Sequence, residues 1–291
     1  MSIYNYQLTD SQTKEVVFNI SSFENGDNFK NFVQHSCFTI LIVQKGNGTI
    51  VRDVSTYEFG ADCLICLSLY QLSKLDPNDV FEGVAITFHP SFFCLFKHRE
   101  EVSCNGVLFN NLYDTPVVTL TSPEMDTLTI ITCQMKRELE EHDMPDQDIL
   151  LSYLKIFLIN ASRTKQEQQK DEASYKELDN PMVAMLKNAI EQYFKEFHSP
   201  ADYSKLLYVS TPVLNNIAKR YFNKTLTDLI AERIITEGKR QLYLTAKPVK
   251  QISFELGYED EFYFSRFFKK HTGVSPVAFR EKVGFDKARV A

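Results

Sequence analysis

From Asn180 onward, helix-starting and helix-stopping residues recur at such short intervals that the chain is restricted to short helices joined by tight turns, with one longer helix among them. Asn180 can cap a helix whose first position is Pro181, and Val183, Leu186, Ile190, Tyr193 and Phe197 then form one apolar stripe at spacings of three and four. A helix over 201–208 follows, then one over 211–222 with Ser210 as its cap. Thr225 and Asp228 have the spacing of a capping box with the shorter acid, and they open a long helix whose inner face includes Leu229, Ile230, Ile234 and Leu242. Pro248 starts a short helix through Leu256, which Gly257 stops; Asp260 caps the next, over 261–271, Gly273 ends it, and Ser275-Pro276 starts a last one.

Two pairs of short helices thus bracket the long helix at 225–244, and each pair has helix-turn-helix proportions. In the second pair Ile252 and Leu256 can pack against Phe264 and Phe268, while Gly257 lets the chain reverse sharply. The opposite face of that second helix shows Glu261, Phe262, Ser265, Arg266 and Lys269. Arg can make two hydrogen bonds to guanine and an aromatic group can contact the thymine methyl, so this face suits major-groove reading. Spacing alone also allows the solvated face of a small helix bundle, and charge separates the two. Residues 1–180 carry 14 Lys+Arg against 26 Asp+Glu, hence −12; residues 181–291 carry 18 against 12, hence +6, and the sums return the net −6. A basic second part attracts phosphates that an acidic first part repels.

The stretch Val249-Lys-Gln-Ile-Ser-Phe-Glu-Leu-Gly-Tyr-Glu-Asp-Glu-Phe-Tyr-Phe-Ser-Arg-Phe-Phe-Lys-Lys-His-Thr-Gly-Val-Ser-Pro-Val-Ala-Phe-Arg280 resembles the signature of the AraC/XylS transcription regulators, particularly their Bacteroidetes-like versions. The likeness covers about residues 181–281, and Glu232-Arg233 with 238–242 fits the family's linker helix. It implies two helix-turn-helix units entering successive major-groove segments on one DNA face. By position, it assigns Glu261, Phe262, Tyr263, Ser265 and Arg266 to DNA, with Lys269 and Lys270 nearer phosphate. In the first unit it assigns Thr211, Pro212, Asn215, Asn216 and Lys219, and Asn is chemically suited to adenine. Two departures lie there: Ala218 stands where the family often has Phe, leaving a smaller core, and Asn223 stands where it usually has Gly. Asn tolerates the left-handed conformation that ends a helix, so the second change is mild.

The first half has a different grammar. Short apolar or alternating runs at 16–20, 38–43, 49–52, 64–69, 84–88 and 117–120 predict an all-β sandwich or barrel over about 14–120. Lys45-Gly46-Asn47-Gly48 predicts a hairpin turn, and 59–62 a second one. After Pro123 the period becomes helical, with Met125, Leu128, Ile131, Cys133, Met135 and Leu139 in one helix over 122–142. Ile149, Leu150, Tyr153, Leu154, Phe157 and Leu158 mark a second over 146–162, and the polar run 162–179 reads as a solvated linker. The expected class is therefore α+β: a sensor region over 1–162, a linker over 163–179 and an all-α reader over 180–291. In layout the first half resembles the family's cupin-like sensory domain. That likeness implies a small-molecule effector at the barrel mouth and a homodimer contact through the helices at 122–162. The partners expected are promoter DNA, the effector and a second copy of the chain, with RNA polymerase as a further candidate.

Catalysis has no residue to rest on, because no phosphate loop, nucleophile elbow or triad motif is present. His35, His89, His98, His142, His198 and His271 stand singly, so no cupin metal set of two His and a carboxylate is expected, and no cofactor. Cys63 and Cys66 have redox-pair spacing, but in a strand they point to opposite faces, and the other cysteines, Cys37, Cys94, Cys104 and Cys133, complete no site. His35, Arg52, Tyr57 and Gln71 are polar groups near barrel strands, and none is assigned to an effector. The polar start 1–15 predicts no signal or transit peptide, and no apolar stretch approaches the ~20 residues of a membrane helix, so the cytoplasm is the expected compartment. A DNA-binding regulator that is not an enzyme is the reading that results. Its rivals are a cupin-type enzyme with an accessory helical domain and a helical protein-interaction module.

Overall fold

The computed structural model describes residues 3–10, 14–24, 33–34, 36–52, 55–78, 80–93, 95, 107–109, 112–142 and 145–283. Among them the chain is α+β, strands first and helices after. The strands are β1 (Asn5–Thr9), β2 (Val16–Glu24), β3 (Val33–Gln34), β4 (Phe38–Lys45), β5 (Gly48–Arg52), β6 (Ser55–Phe59), β7 (Cys63–Leu67), β8 (Leu72–Pro77), β9 (Glu82–Phe88) and β10 (Val117–Thr119). The helices are α1 (Ser122–Glu141), α2 (Gln147–Asp179), α3 (Met182–Tyr193), α4 (Pro200–Leu207), α5 (Thr211–Phe222), α6 (Leu226–Leu244), α7 (Val249–Glu255), α8 (Glu261–Thr272) and α9 (Pro276–Val283). Two compact units result: Met1–Asn111 with Thr115–Glu167, and Leu112–Asp114 with Gln168–Ala291.

The strands of the first unit pair antiparallel in two sheets, ordered β1-β2-β9-β4-β7-β10 and β3-β8-β5-β6. Leu41, Val43, Ile65 and Ala85 of the larger sheet meet Ile50, Phe59 and Leu75 of the smaller in one apolar core. β4 and β7 are buried along nearly their whole length, which is why they read as continuous apolar runs. On the other face of the larger sheet Phe38 and Phe88 stack with centroids 5.3 Å apart, and Phe109 meets both edge-on. β6 and β8 escape that reading because Glu58, Lys74 and Asp76 occupy their outward positions while Phe59 and Leu75 face inward. The short β3 and the edge strand β1 also lie outside the expected runs.

Three expectations are corrected. The Lys45–Gly48 turn does not close a hairpin: β4 pairs with β7 and β9, β5 with β6 and β8, so the turn carries the chain from one sheet to the other. Gly46 takes φ +107°, and a Cβ there would lie 2.3 Å from the Val80 carbonyl oxygen, so backbone crowding requires glycine. Second, the segment 162–179 is helix, the continuation of α2, not an unstructured linker. Ser162, Thr164 and Lys165 are buried; Lys165 Nζ donates to the Val117 carbonyl oxygen at 2.9 Å and Thr164 Oγ1 to Glu124 Oε1 at 2.6 Å. Lysine buries its stem while its ammonium finds a strand carbonyl, so a polar run here conceals a packed face. Third, Cys133 is exposed, leaving Leu128, Ile131, Thr132, Met135 and Leu139 as the buried stripe of α1.

Candidate nucleic-acid interface

The helical unit is built from caps outward. Ser199 and Asp202 form a capping box at the start of α4, with the Ser199 hydroxyl 2.7 Å from Asp202 Oδ2. α4 ends at Tyr208 in the left-handed conformation, φ 55°, and α5 starts two residues after Val209. Ser210 occupies the cap position of α5 without a side-chain cap bond. At the far end Asn223 takes φ 57° and its N–H reaches the carbonyl oxygens of Ala218 and Lys219, the helix-ending role expected of it. Leu214, Ile217, Ala218 and Phe222 face the core. Thr225 and Asp228 form the expected capping box on α6.

The second pair repeats this plan fifty positions later. Asp260 Oδ1 accepts from the Phe262 N–H at 2.8 Å to cap α8, and Gly273, φ 74°, ends it. Ile252, Leu256, Phe264 and Phe268 are all fully buried, as their spacing predicts. Gly257 sits in the turn at φ +82°, where a Cβ would fall 1.9 Å from the Lys195 carbonyl oxygen. The backbone after α3 therefore runs directly against the second turn, and only glycine fits between them.

The residues expected to meet DNA fall on α5 and α8. On α5 Pro212, Asn216 and Lys219 are exposed and Thr211 is half-buried. Asn215 has another engagement: its Oδ1 accepts from the Leu226 N–H at 3.1 Å, closing the start of α6, and while it does so it cannot read adenine with both polar atoms. On α8 Phe262 and Tyr263 are 70% and 56% exposed, Arg266, Lys269 and Lys270 are exposed, and Glu261 and Ser265 are half-buried. Tyr263 leans on Tyr258 with centroids 5.9 Å apart, which positions its ring.

Charge is distributed unevenly in this unit. Arg233 pairs with Glu191 at 2.8 Å, Arg240 with Glu237 at 2.6 Å, Lys247 with Glu255 at 2.6 Å, and Lys224 with Glu232. Among the described residues no ion pair engages Lys219, Arg266, Lys269 or Lys270. Internal pairing thus neutralises Arg233 and Arg240 of α6 with Lys224 and Lys247 beside it, and leaves Lys219 of α5 and Arg266, Lys269 and Lys270 of α8 facing solvent. The last turn of α8 holds Lys269 and Lys270, where the helix dipole favours cations.

His198, Lys224 and Tyr113 are structural residues the sequence did not mark. His198 Nε2 lies 2.9 Å from the Leu256 carbonyl oxygen and its ring stacks on Tyr258. Lys224 is buried although its neighbours suggest a surface turn. In the first unit Cys63 is buried in the apolar core, which pushes its thiol up to about 12, so it is no nucleophile at neutral pH. Cys66 lies on the other face of β7. Arg52 is buried on the inner face of β5, with Nη2 donating to Tyr57 Oη at 3.2 Å, and Gln71 Oε1 accepts from the Ser68 N–H. His35, His98, Cys94 and Cys104 lie outside the described residues. Among the described residues no cluster of three metal-ligating side chains occurs, and no helix is long and apolar enough to cross a membrane.

A helix-turn-helix domain family model matches residues 203–282, which span α4 to α9. The raffinose operon transcriptional regulatory protein RafR of Pediococcus pentosaceus is 28% identical over 101 residues, 33% of this chain and 36% of that protein, so the chain spans about a third of that relative. The HTH-type transcriptional activator RhaR of Cronobacter sakazakii is 21% identical over 258 residues, 86% of each chain. Among solved structures, the C-terminal domain of AraT, a response regulator from Geobacillus stearothermophilus, is similar at 25% identity and a TM-score of 0.35, covering 36% of this chain and 88% of that one.

Proposed function

We propose, from the premise that the carboxyl-terminal helices are an AraC-type helix-turn-helix DNA-binding domain, that the whole chain is a sequence-specific transcriptional regulator of the AraC/XylS type and not an enzyme. The observation that carries this reading is the contrast on the helical unit: Arg233 and Arg240 of α6 are paired internally, whereas Arg266, Lys269 and Lys270 on α8 face solvent beside exposed Phe262 and Tyr263. In this reading α8 enters a major groove. Arg266 reads guanine, Phe262 and Tyr263 contact thymine methyls, Glu261 accepts from cytosine, Ser265 bonds a base edge, and Lys269 and Lys270 hold phosphates. α5 enters the next groove with Thr211, Pro212, Asn216 and Lys219, while Asn215 anchors α6 through its Oδ1 and has only its amide nitrogen to offer DNA.

The two-sheet unit serves as the sensor. In the proposed mechanism a small molecule bound there favours one arrangement of the chain and so alters promoter binding, with α1 and α2 forming a homodimer contact in the cytoplasm and RNA polymerase as a further partner. The test is a salt titration of the full chain on duplex DNA. Affinity falling with salt at a log–log slope of about 0.9 per phosphate, and a slope smaller by about one in Lys269→Ala, support the reading. Binding without salt dependence, or none, contradicts it.

A further inference from the structure

Three residues distant in sequence complete the helical unit: Leu112, Tyr113 and Asp114, which stand between β9 and β10 in the chain. A different side chain holds each of them. Lys224 Nζ, with its side chain 1% exposed, donates to the Leu112 carbonyl oxygen at 3.0 Å while pairing with Glu232. The Tyr113 hydroxyl donates to Glu191 Oε1 at 2.8 Å, and the other oxygen of that carboxylate accepts from Arg233 Nε at 2.8 Å. Asp114 Oδ2 accepts from Gln169 Nε2 at 3.0 Å.

Tyr113 has the widest reach of the three. Its ring meets Phe222, the last residue of α5, edge-on with centroids 5.4 Å apart, and Lys187 Nζ lies 5.4 Å from its centroid. Through Glu191 and Lys187 it touches α3, through Phe222 it touches α5, and through the shared carboxylate it reaches Arg233 of α6. Burial and the Glu191 carboxylate both push the phenol up, so it stays a protonated donor.

The second helix-turn-helix is braced from outside at its turn, by His198 and the Lys195 backbone, and the end of α8 is closed locally. Fifty positions after Phe222 stands Thr272, whose hydroxyl bonds the carbonyl oxygens of Phe268 and Val274 within its own turn. After Ala218 by the same offset stands Phe268, whose ring packs on Phe264 and Phe279. The first pair has only a methyl at that position, and an aromatic ring arrives instead from Tyr113, at the end of the same helix. A smaller core needs an added wedge to hold one arrangement.

We propose that Tyr113 is a positioning residue for DNA reading by α5: it wedges α5 against α3 and α6 and so sets the orientation of the first reading helix, while α8 is oriented by its own aromatic core together with His198 at its turn. This inference rests on the DNA-binding reading above.

The test uses the full chain, as wild type, Tyr113→Phe and Tyr113→Ala, in selection from random-sequence duplexes and in amide hydrogen exchange. In Tyr113→Ala the α5 amides should exchange faster while those of α8 do not, and enrichment in the DNA box read by α5 should fall about tenfold while the other box is kept. Tyr113→Phe keeps the ring and should fall between, and it carries the test if Tyr113→Ala does not fold. Unchanged α5 exchange, both boxes retained, or both lost together would overturn the proposal. A wild-type chain that selects no two-box motif overturns the DNA reading itself, a failure distinct from any that the variants alone would show.

Discussion

His198 Nε2 and the Leu256 carbonyl oxygen, 2.9 Å apart and 58 positions distant in sequence, link the α3–α4 connection to the second helix-turn-helix. The carbonyl can only accept, so this nitrogen carries the proton and the neutral ring is the tautomer protonated there. Burial holds the imidazole below its ordinary 6.5, outweighing the opposing pull of the Leu256 and Lys195 carbonyls and of Asp202. A base with a depressed pKa binds fewer protons when folded than when unfolded. The folded state therefore loses stability as pH falls through about 6.5, and the loss is complete below the folded-state value. Thermal melts between pH 8 and pH 5 should show a decline for the wild type that is shallower in His198→Gln; equal slopes would contradict this account.

The two helix-turn-helix turns should respond oppositely to changes at their left-handed residues. Gly257→Ala forces a Cβ against the Lys195 carbonyl oxygen at a positive φ and should cost about 2 kcal/mol or more. Tyr208 holds φ 55° with a bulky side chain that is 95% exposed, so Tyr208→Gly removes strain without removing packing and should be neutral or stabilising by up to about 1 kcal/mol. Chemical denaturation of both variants checks the signs.

Lys165→Ala removes the donor that satisfies the Val117 carbonyl oxygen and the stem buried beside it. A loss of roughly 1–3 kcal/mol is expected, seen as a lower melting temperature and faster amide exchange in β10. No change would mean that this part of α2 is a solvated linker after all.

Glu237 is buried on α6 between Arg233, Arg240 and Gln241. Burial pushes its carboxyl up, but the hydrogen bonds from Arg240 and Gln241 and the charge of Arg233 outweigh it and hold the group below its ordinary 4.5. Stability from a depressed acid is present above the unfolded value and disappears as pH falls through the folded one. Glu237→Gln should destabilise by about 2 kcal/mol at pH 7, and the gap to wild type should narrow below pH 4.5. A gap independent of pH would show that the lost contacts are not electrostatic.

The helical half was the more legible because its signals are local. Asn223, Thr225 with Asp228, Asp260 and Gly273 each end or begin a helix through their own backbone or side chain, and each does so in the structure. What was illegible depends on partners far along the chain. Asn215 looks like a base-reading residue, yet its carbonyl faces Leu226 across a turn. Lys165 and Lys224 look like surface charges, yet each ammonium meets a buried carbonyl oxygen 48 and 112 positions away. Strands β6 and β8 carry charges on one face, so apolar content alone passes over them.

The most direct test of the central claim is selection of random-sequence duplexes by the full chain, repeated with Arg266→Ala. Two boxes about one helical turn (~10 bp) apart are predicted, with base preference in the variant relaxed at one position of the box read by α8 and kept elsewhere. Arg266→Ala binding with unchanged preference throughout, or a wild-type chain that enriches no motif, would contradict the account.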